Sequence, residues 1–283
     1  MKRVLKVFAI AVAAIAVVLY LPWVVLLPSH DRDWRADHSR LPLVSAGEEA
    51  AVIRNIRNWD YAPDGSVARE AWINATLVPE ELEQAYFVVE PFTGSEAIAH
   101  TMLSFRFRDG KTYVASVEAR REEGESYNAP LAAVLPVFEY FFVWTTERDM
   151  FGNSEFWAGD QLYLYPLSIP IEQQRAVLKA MLRESEELVT EPRWYNTLFS
   201  NCTNVLARAV NRTKRGVVPF DKSWVLTGYA DDFLYEQGML ADMGGFEATQ
   251  ERALISPLVR ELYGIKDPAE FSVALRERMR GGI

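Results

Sequence analysis

Two residues carry most of the chemistry that this sequence suggests. They are Cys202, the only cysteine, and His100, one of three histidines. Ser200 and Asn201 are both good N-cap residues and stand just before Cys202. Cys202, Val205, Leu206, Ala209 and Val210 then keep helical spacing on one face. Cys202 is therefore expected in the first turn of a helix, where backbone N–H groups lack partners and the helix dipole is positive. That setting depresses a thiol pKa and yields a nucleophile near neutral pH. The same N–H groups can hold an oxyanion on an attacked carbonyl. A cysteine nucleophile also needs a base, most often histidine. His30 and His38 fall in a polar stretch read as a solvated linker, which leaves His100. The competing reading is structural, because a lone cysteine on an apolar helix stripe is commonly a small buried hydrophobe.

The elements that must position this pair follow from periodicity. Ala51 to Trp59 and Ala85 to Phe92 read as strands. Ile98 to Arg108 and Thr112 to Arg120 flank Asp109-Gly110, a strong hairpin signal. Leu103, Phe105 and Phe107 share one face, with Ile98, His100, Met102 and Ser104 on the other. The register decides what orients His100. A two-residue Asp109-Gly110 turn places Ala119 opposite His100. A three-residue loop or a bulge turns Glu118 and Arg120 to its face instead. Glu118, Arg120 and Glu122 equally suit a solvated ladder of charges. Further strands are expected over Tyr140 to Thr145 and Gln161 to Leu167. A helix is expected from Ile171 to Leu188, and others around Phe233–Leu240, Thr249–Tyr263 and Pro268–Arg280. Strands come first and helices later, the order of an α+β fold.

The 283 residues are 49% apolar and 24% charged, enough for a sizeable core. A single cysteine excludes a disulfide framework and a cysteine-rich zinc site. The net charge of −9 argues against nucleic acid as a partner. No GxGxxG, P-loop or EF-hand pattern is present, so the chemistry implies no cofactor and no metal.

Lys2, Arg3 and Lys6 precede an uncharged run from Val7 to Leu27. As a helix that run spans roughly 31 Å, about a bilayer core. Residues 1–27 are thus read as a cytoplasmic N-terminus and transmembrane anchor rather than a cleaved signal peptide, whose apolar core is shorter. The positive-inside rule puts the rest outside the inner membrane. Residues 28–48 read as a linker and 49–283 as the exported domain, whose later part is helical.

Several segments resemble a bacterial family: His-Asp-Arg-Asp-Trp-Arg (30–35), Ile-Arg-Asn-Trp-Asp-Tyr (56–61), His-Thr-Met-Leu-Ser-Phe (100–105), Ser-Val-Glu-Ala-Arg-Arg-Glu (116–122) and Trp-Tyr-Asn-Thr-Leu-Phe-Ser-Asn-Cys-Thr (194–203). It is the Lnb N-terminal periplasmic domain family. The order of the strand histidine and the Asn-Cys helix start also resembles permuted papain-like NlpC/P60 enzymes of the lecithin–retinol acyltransferase-like branch. The resemblance implies a permuted papain-like domain with an antiparallel sheet and packed helices. It also implies a thiol acyltransferase that passes an acyl chain from a phospholipid donor to a lipoprotein or other amine. The chain departs from a larger enzyme of that kind in having one membrane segment.

Three functions follow as expectations. In the first, Cys202 forms an acyl thioester, His100 moves the proton, and Glu118 or a backbone carbonyl orients His100. Helix N–H groups, with Asn201 or Tyr195, hold the oxyanion, while Asn196 and Arg120 shape the substrate site. In the second, the same dyad cleaves cell-wall peptides as an amidase or endopeptidase. In the third, the domain is a membrane-tethered scaffold with an inert site. Nothing in the sequence sets an oligomeric state.

Overall fold

The computed structural model describes residues 2–281. Its elements run α1 (Lys2–Val25), β1 (Leu43–Ala46), β2 (Ala51–Arg57), β3 (Asp60–Tyr61), β4 (Val67–Arg69), β5 (Trp72–Leu77), β6 (Leu82–Pro91), β7 (Ala99–Phe107) and β8 (Thr112–Arg120). Then come α2 (Ala129–Val134), β9 (Glu139–Thr146), α3 (Glu147–Gly152), β10 (Tyr163–Pro166), α4 (Ile171–Thr190), β11 (Arg193–Trp194) and α5 (Cys202–Thr213). The chain closes with α6 (Ala230–Glu236), α7 (Phe246–Ala253), α8 (Ser256–Leu262) and α9 (Pro268–Gly281). Mixed α+β architecture is thus observed. Among the described residues, α1 alone is long and apolar enough to cross a membrane, and none of that stretch is buried.

The sheet is ordered β1-β2-β9-β8-β7-β6-β10, with β5 on β2 and β11 on β9. All pairs are antiparallel except β2 with β9. Alternation along β7 feeds two cores. Leu103 and Phe105 pack with Trp144, Met181 and Val205, on the side of α4 and α5. Met102 packs with Val114, Phe151, Val259 and Phe271, on the side of α3, α8 and α9. Both sheet faces are therefore covered, and β9 is buried along its whole length.

The β7–β8 connection is the three-residue loop Arg108-Asp109-Gly110. The Phe107 N–H bonds the Lys111 carbonyl, and Gly110 takes a left-handed φ of 82°. A type I turn closed by such a glycine matches the twist of the strands. With Met102 opposite Ser116, this register runs on to put Glu118, not Ala119, across from His100.

The stretch expected as a linker is part of the folded body. β1 forms a sheet edge with β2. Before it, residues 29–39 lie as a strap across β8 and β9. Ser29 N–H bonds Glu139 at 2.8 Å, and the Arg32 guanidinium pairs with Glu139 at 2.9 Å. His38 is only 2% exposed and stacks edge-on against Phe141. His30 is half-buried, with Nε2 at 2.7 Å from the Leu188 carbonyl. The expectation of solvated histidines is therefore corrected. The strap's polar groups find partners, and its guanidiniums and rings stack. A polar sequence can be buried on those terms.

Charged residues likewise fill α3. Arg57 grips Asp149 with Nη2 at 2.8 Å and Nε at 3.0 Å, and Glu147 pairs with Arg276. All six residues of α3 are buried, which ionic pairing permits. The helix expected over Thr249–Tyr263 divides into α7 and α8. Pro257 has no N–H to continue a helix, and the Ile255 N–H bonds the Leu162 carbonyl instead.

Candidate active site

Asn201 caps α5. Its side-chain oxygen accepts the Asn204 N–H at 2.9 Å, and the Asn204 side chain accepts the Asn201 N–H at 2.8 Å. This reciprocal box fixes the helix start, so Cys202 is the first helical residue. The Cys202 and Thr203 N–H groups have no partner among the described residues. They are the oxyanion donors that the helix start offers. Asn201 is not, because its amide is spent on the Thr197 and Trp224 carbonyls, both at 2.8 Å.

β7 brings His100 to the same place. Thr101 and Thr203 join their hydroxyls at 2.9 Å, which ties the strand to the helix beside His100 and Cys202. The His100 Nε2 lies 2.9 Å from Glu118 Oε1 and 2.6 Å from Ser116 Oγ. The Ser116 hydroxyl donates to the same Glu118 oxygen at 2.6 Å. Having spent its proton there, Ser116 accepts from His100, so Nε2 carries a proton.

The ionisation of the pair follows from this arrangement. Burial pushes the His100 imidazole down, but the Glu118 carboxylate and the Cys202 sulfur outweigh burial and hold it well above 6.5. Burial pushes the Cys202 thiol up. The neighbouring His100 imidazole and the polar groups of Thr101 outweigh that and bring it below its usual value. Glu118 is raised by burial and lowered more strongly by His100, so it stays ionised. The arrangement favours a thiolate–imidazolium pair.

Cys202 and His100 open onto a cleft with about 1210 Å³ of empty volume, counting its open mouth. Phe92, Tyr127, Trp157 and Tyr195 give it apolar rings, and Arg35, Glu90, Arg121 and Asp160 give it charge. The Tyr195 hydroxyl is bonded to that of Tyr127 at 3.0 Å. Glu90 was not singled out in the sequence. It pairs with His100 across β6 and β7, and burial pushes its carboxyl up to about 7 despite the lowering effect of His100. A lone carboxylate ending the apolar run Tyr86-Phe87-Val88-Val89 was the available signal. Ser116 was missed too, since serine in a strand has no distinctive pattern.

Two expected site residues stand elsewhere. Arg120 shares the sheet face of His100 but lies buried under the strap. Its Nε donates to the His38 carbonyl at 3.0 Å, and its guanidinium sits 4.1 Å from the Trp34 ring centre. Asn196 holds the turn before α5, accepting the Leu198 and Phe199 N–H groups and donating to Ala133. Neither lines the cleft.

A second cavity lies behind α5, with about 680 Å³ of empty volume, part of it open to solvent. Leu103, Leu206, Val210, Phe233 and Met239 are among its apolar walls. Thr101 and Thr203 face this cavity, while their neighbours His100 and Cys202 face the cleft.

A strand histidine backed by a carboxylate, set beside a cysteine at a helix start, defines an α+β protein with a Cys–His site. The chain belongs to the Lnb N-terminal periplasmic domain family, whose model matches residues 68–226. The match includes His100, Glu118 and Cys202. No curated protein and no solved structure matches the chain. The family and the apolar α1 together are those of an extracytoplasmic membrane protein.

Proposed function

We propose that the protein is a single-pass, membrane-anchored acyltransferase working through an acyl thioester on Cys202. The observation that carries this reading is the Ser116-braced Glu118–His100 pair set against a thiol of lowered pKa. The Cys202 thiolate attacks the ester carbonyl of a phospholipid. The C–O bond breaks, and the leaving alcohol oxygen takes the His100 proton. An amine then attacks the thioester, His100 accepts its proton, and the C–S bond breaks to restore the thiolate. The Cys202 and Thr203 N–H groups hold the oxyanion in both steps. No cofactor enters this scheme. Lys2, Arg3 and Lys6 favour a cytoplasmic N-terminus with the domain in the periplasm. Helix-start cysteine and strand histidine also suit the permuted papain-like branch.

A wall-peptide amidase is the second reading, favoured by the charges of Arg35, Glu90, Arg121 and Asp160 in the cleft. The apolar rings of Phe92, Tyr127 and Trp157 in the same cleft support the acyl substrate instead. The test is mass spectrometry of Cys202 after incubating the full chain with phospholipid vesicles. An acyl adduct, absent from Cys202→Ala, is expected. No adduct on a thiol that still alkylates, together with cleavage of wall peptides, would overturn the reading in favour of the amidase.

A further inference from the structure

An exposed apolar rim runs from the anchor to the reactive thiol. The Trp23 indole of α1 donates to the Val134 carbonyl of α2 at 2.9 Å. On α2, Leu131 is 40% and Val134 45% exposed. The carbonyls of Ala129 and Ala132 on the same helix accept the hydroxyl and N–H of Thr197. The next two residues, Leu198 and Phe199, are 39% and 71% exposed. The Asn204 amide then bonds both the Leu198 and Trp224 carbonyls, at 3.1 and 3.4 Å. Phe220, 81% exposed, packs at a tilt against Trp224 with ring centres 5.4 Å apart.

This succession leads from the end of a bilayer-crossing helix to the cap of the Cys202 helix. Its large exposed side chains are costly in water unless something covers them. Its charge also departs from that of the chain. Between Leu198 and Trp224 stand Arg208, Arg212, Lys214, Arg215 and Lys222, with Asp221 as the one acid, in a protein of net −9. Arg212 pairs with Glu184 and Glu187 of α4, while Lys214, Arg215 and Lys222 have no carboxylate partner within salt-bridge distance among the described residues. Apolar side chains flanked by lysine and arginine are the composition of an interfacial lipid-binding surface.

We infer that this rim is embedded in the surface of the bilayer that α1 crosses, with Phe199 and Phe220 among the acyl chains and Lys214, Arg215 and Lys222 at anionic headgroups. The inference rests on α1 being a membrane anchor and is independent of the reaction at Cys202. It places the cap of the Cys202 helix at the lipid surface. It also sets the apolar cavity, whose wall includes Trp224, beside the lipid tails.

The test uses the full chain in vesicles of phosphatidylethanolamine and phosphatidylglycerol, in a Cys202→Ser background. Phe199→Cys and Phe220→Cys each receive an environment-sensitive fluorophore. Val67→Cys, exposed on the β3–β4 hairpin, is the reference. Blue-shifted emission and several-fold stronger quenching by tail-linked nitroxide lipids are expected at 199 and 220, compared with 67. Emission and quenching like those of the reference at either position would overturn the inference.

Discussion

Glu118 lies directly across the β7–β8 pair from His100, with its carboxylate oxygen 2.9 Å from Nε2. The three-residue hairpin loop puts it there. One residue fewer would have turned the carboxylate to the other sheet face. Glu118 thus holds the ring and favours its charged form.

Replacing Glu118 by glutamine should therefore change Cys202 as well as His100. Without the carboxylate, the His100 pKa falls, and less positive charge faces the thiol. The Cys202 pKa should rise toward its usual value. Alkylation by iodoacetamide near pH 6.5 should slow by about tenfold, the effect of roughly one pKa unit on the thiolate fraction. The midpoint of the alkylation profile should move to higher pH. An unchanged profile would mean that Glu118 does not act on the pair.

Below neutral pH, the strap should weaken the fold. Burial lowers the His38 pKa from 6.5 to about 4, and its Nδ1 accepts the Arg121 N–H at 2.9 Å. The unfolded chain then binds the proton more readily than the folded one. Stability is complete above about pH 6.5 and is lost as pH falls from there to about 4. The loss from this group is about 3 kcal/mol. Urea unfolding at pH 7 and pH 4.5 should show a difference that shrinks in His38→Gln.

The buried pair of Arg57 and Asp149 gives a stability test far from the cysteine. Arg57→Met leaves a fully buried carboxylate without its counter-charge and should cost about 3–5 kcal/mol. Arg57→Met combined with Asp149→Leu should recover part of that loss. Thermal unfolding of the two variants measures both effects.

Gly228 offers a steric test beside the cleft. A methyl group there would collide with the Glu96 carbonyl oxygen, a backbone atom that cannot swing aside. The adjoining Thr227 bonds the Ala99 N–H and carbonyl next to His100. Gly228→Ala should lower stability by about 1–3 kcal/mol and alter Cys202 alkylation. Intact stability would show that the 227–229 segment moves freely.

Much of the candidate site's geometry was legible in the sequence because its signals are local. Asn201 before Cys202 is a cap, and a cap implies free N–H groups whatever the tertiary structure. The alternation around His100 likewise specifies its face. The role of Arg120 was not legible, because its partners are the strap residues Trp34 and His38, far away in sequence. The same holds for α3, whose charges resemble a solvated surface until Arg57 and Arg276 arrive from distant elements. The strap itself was misread for that reason. Polarity signals exposure only when pairing partners are unknown.

The strap has a last consequence, for how far the domain can travel. A flexible tether over residues 28–48 would let the domain range roughly 25 Å from its anchor, at about 5–6 Å times the square root of its length. Here α1 ends at Val25, and the chain is already fastened to Glu139 at Ser29. The few intervening residues allow a leash of only about 14 Å at full extension. The domain is thus a fixture of fixed height rather than a roaming arm. A molecule entering the cleft would have to reach it within that height.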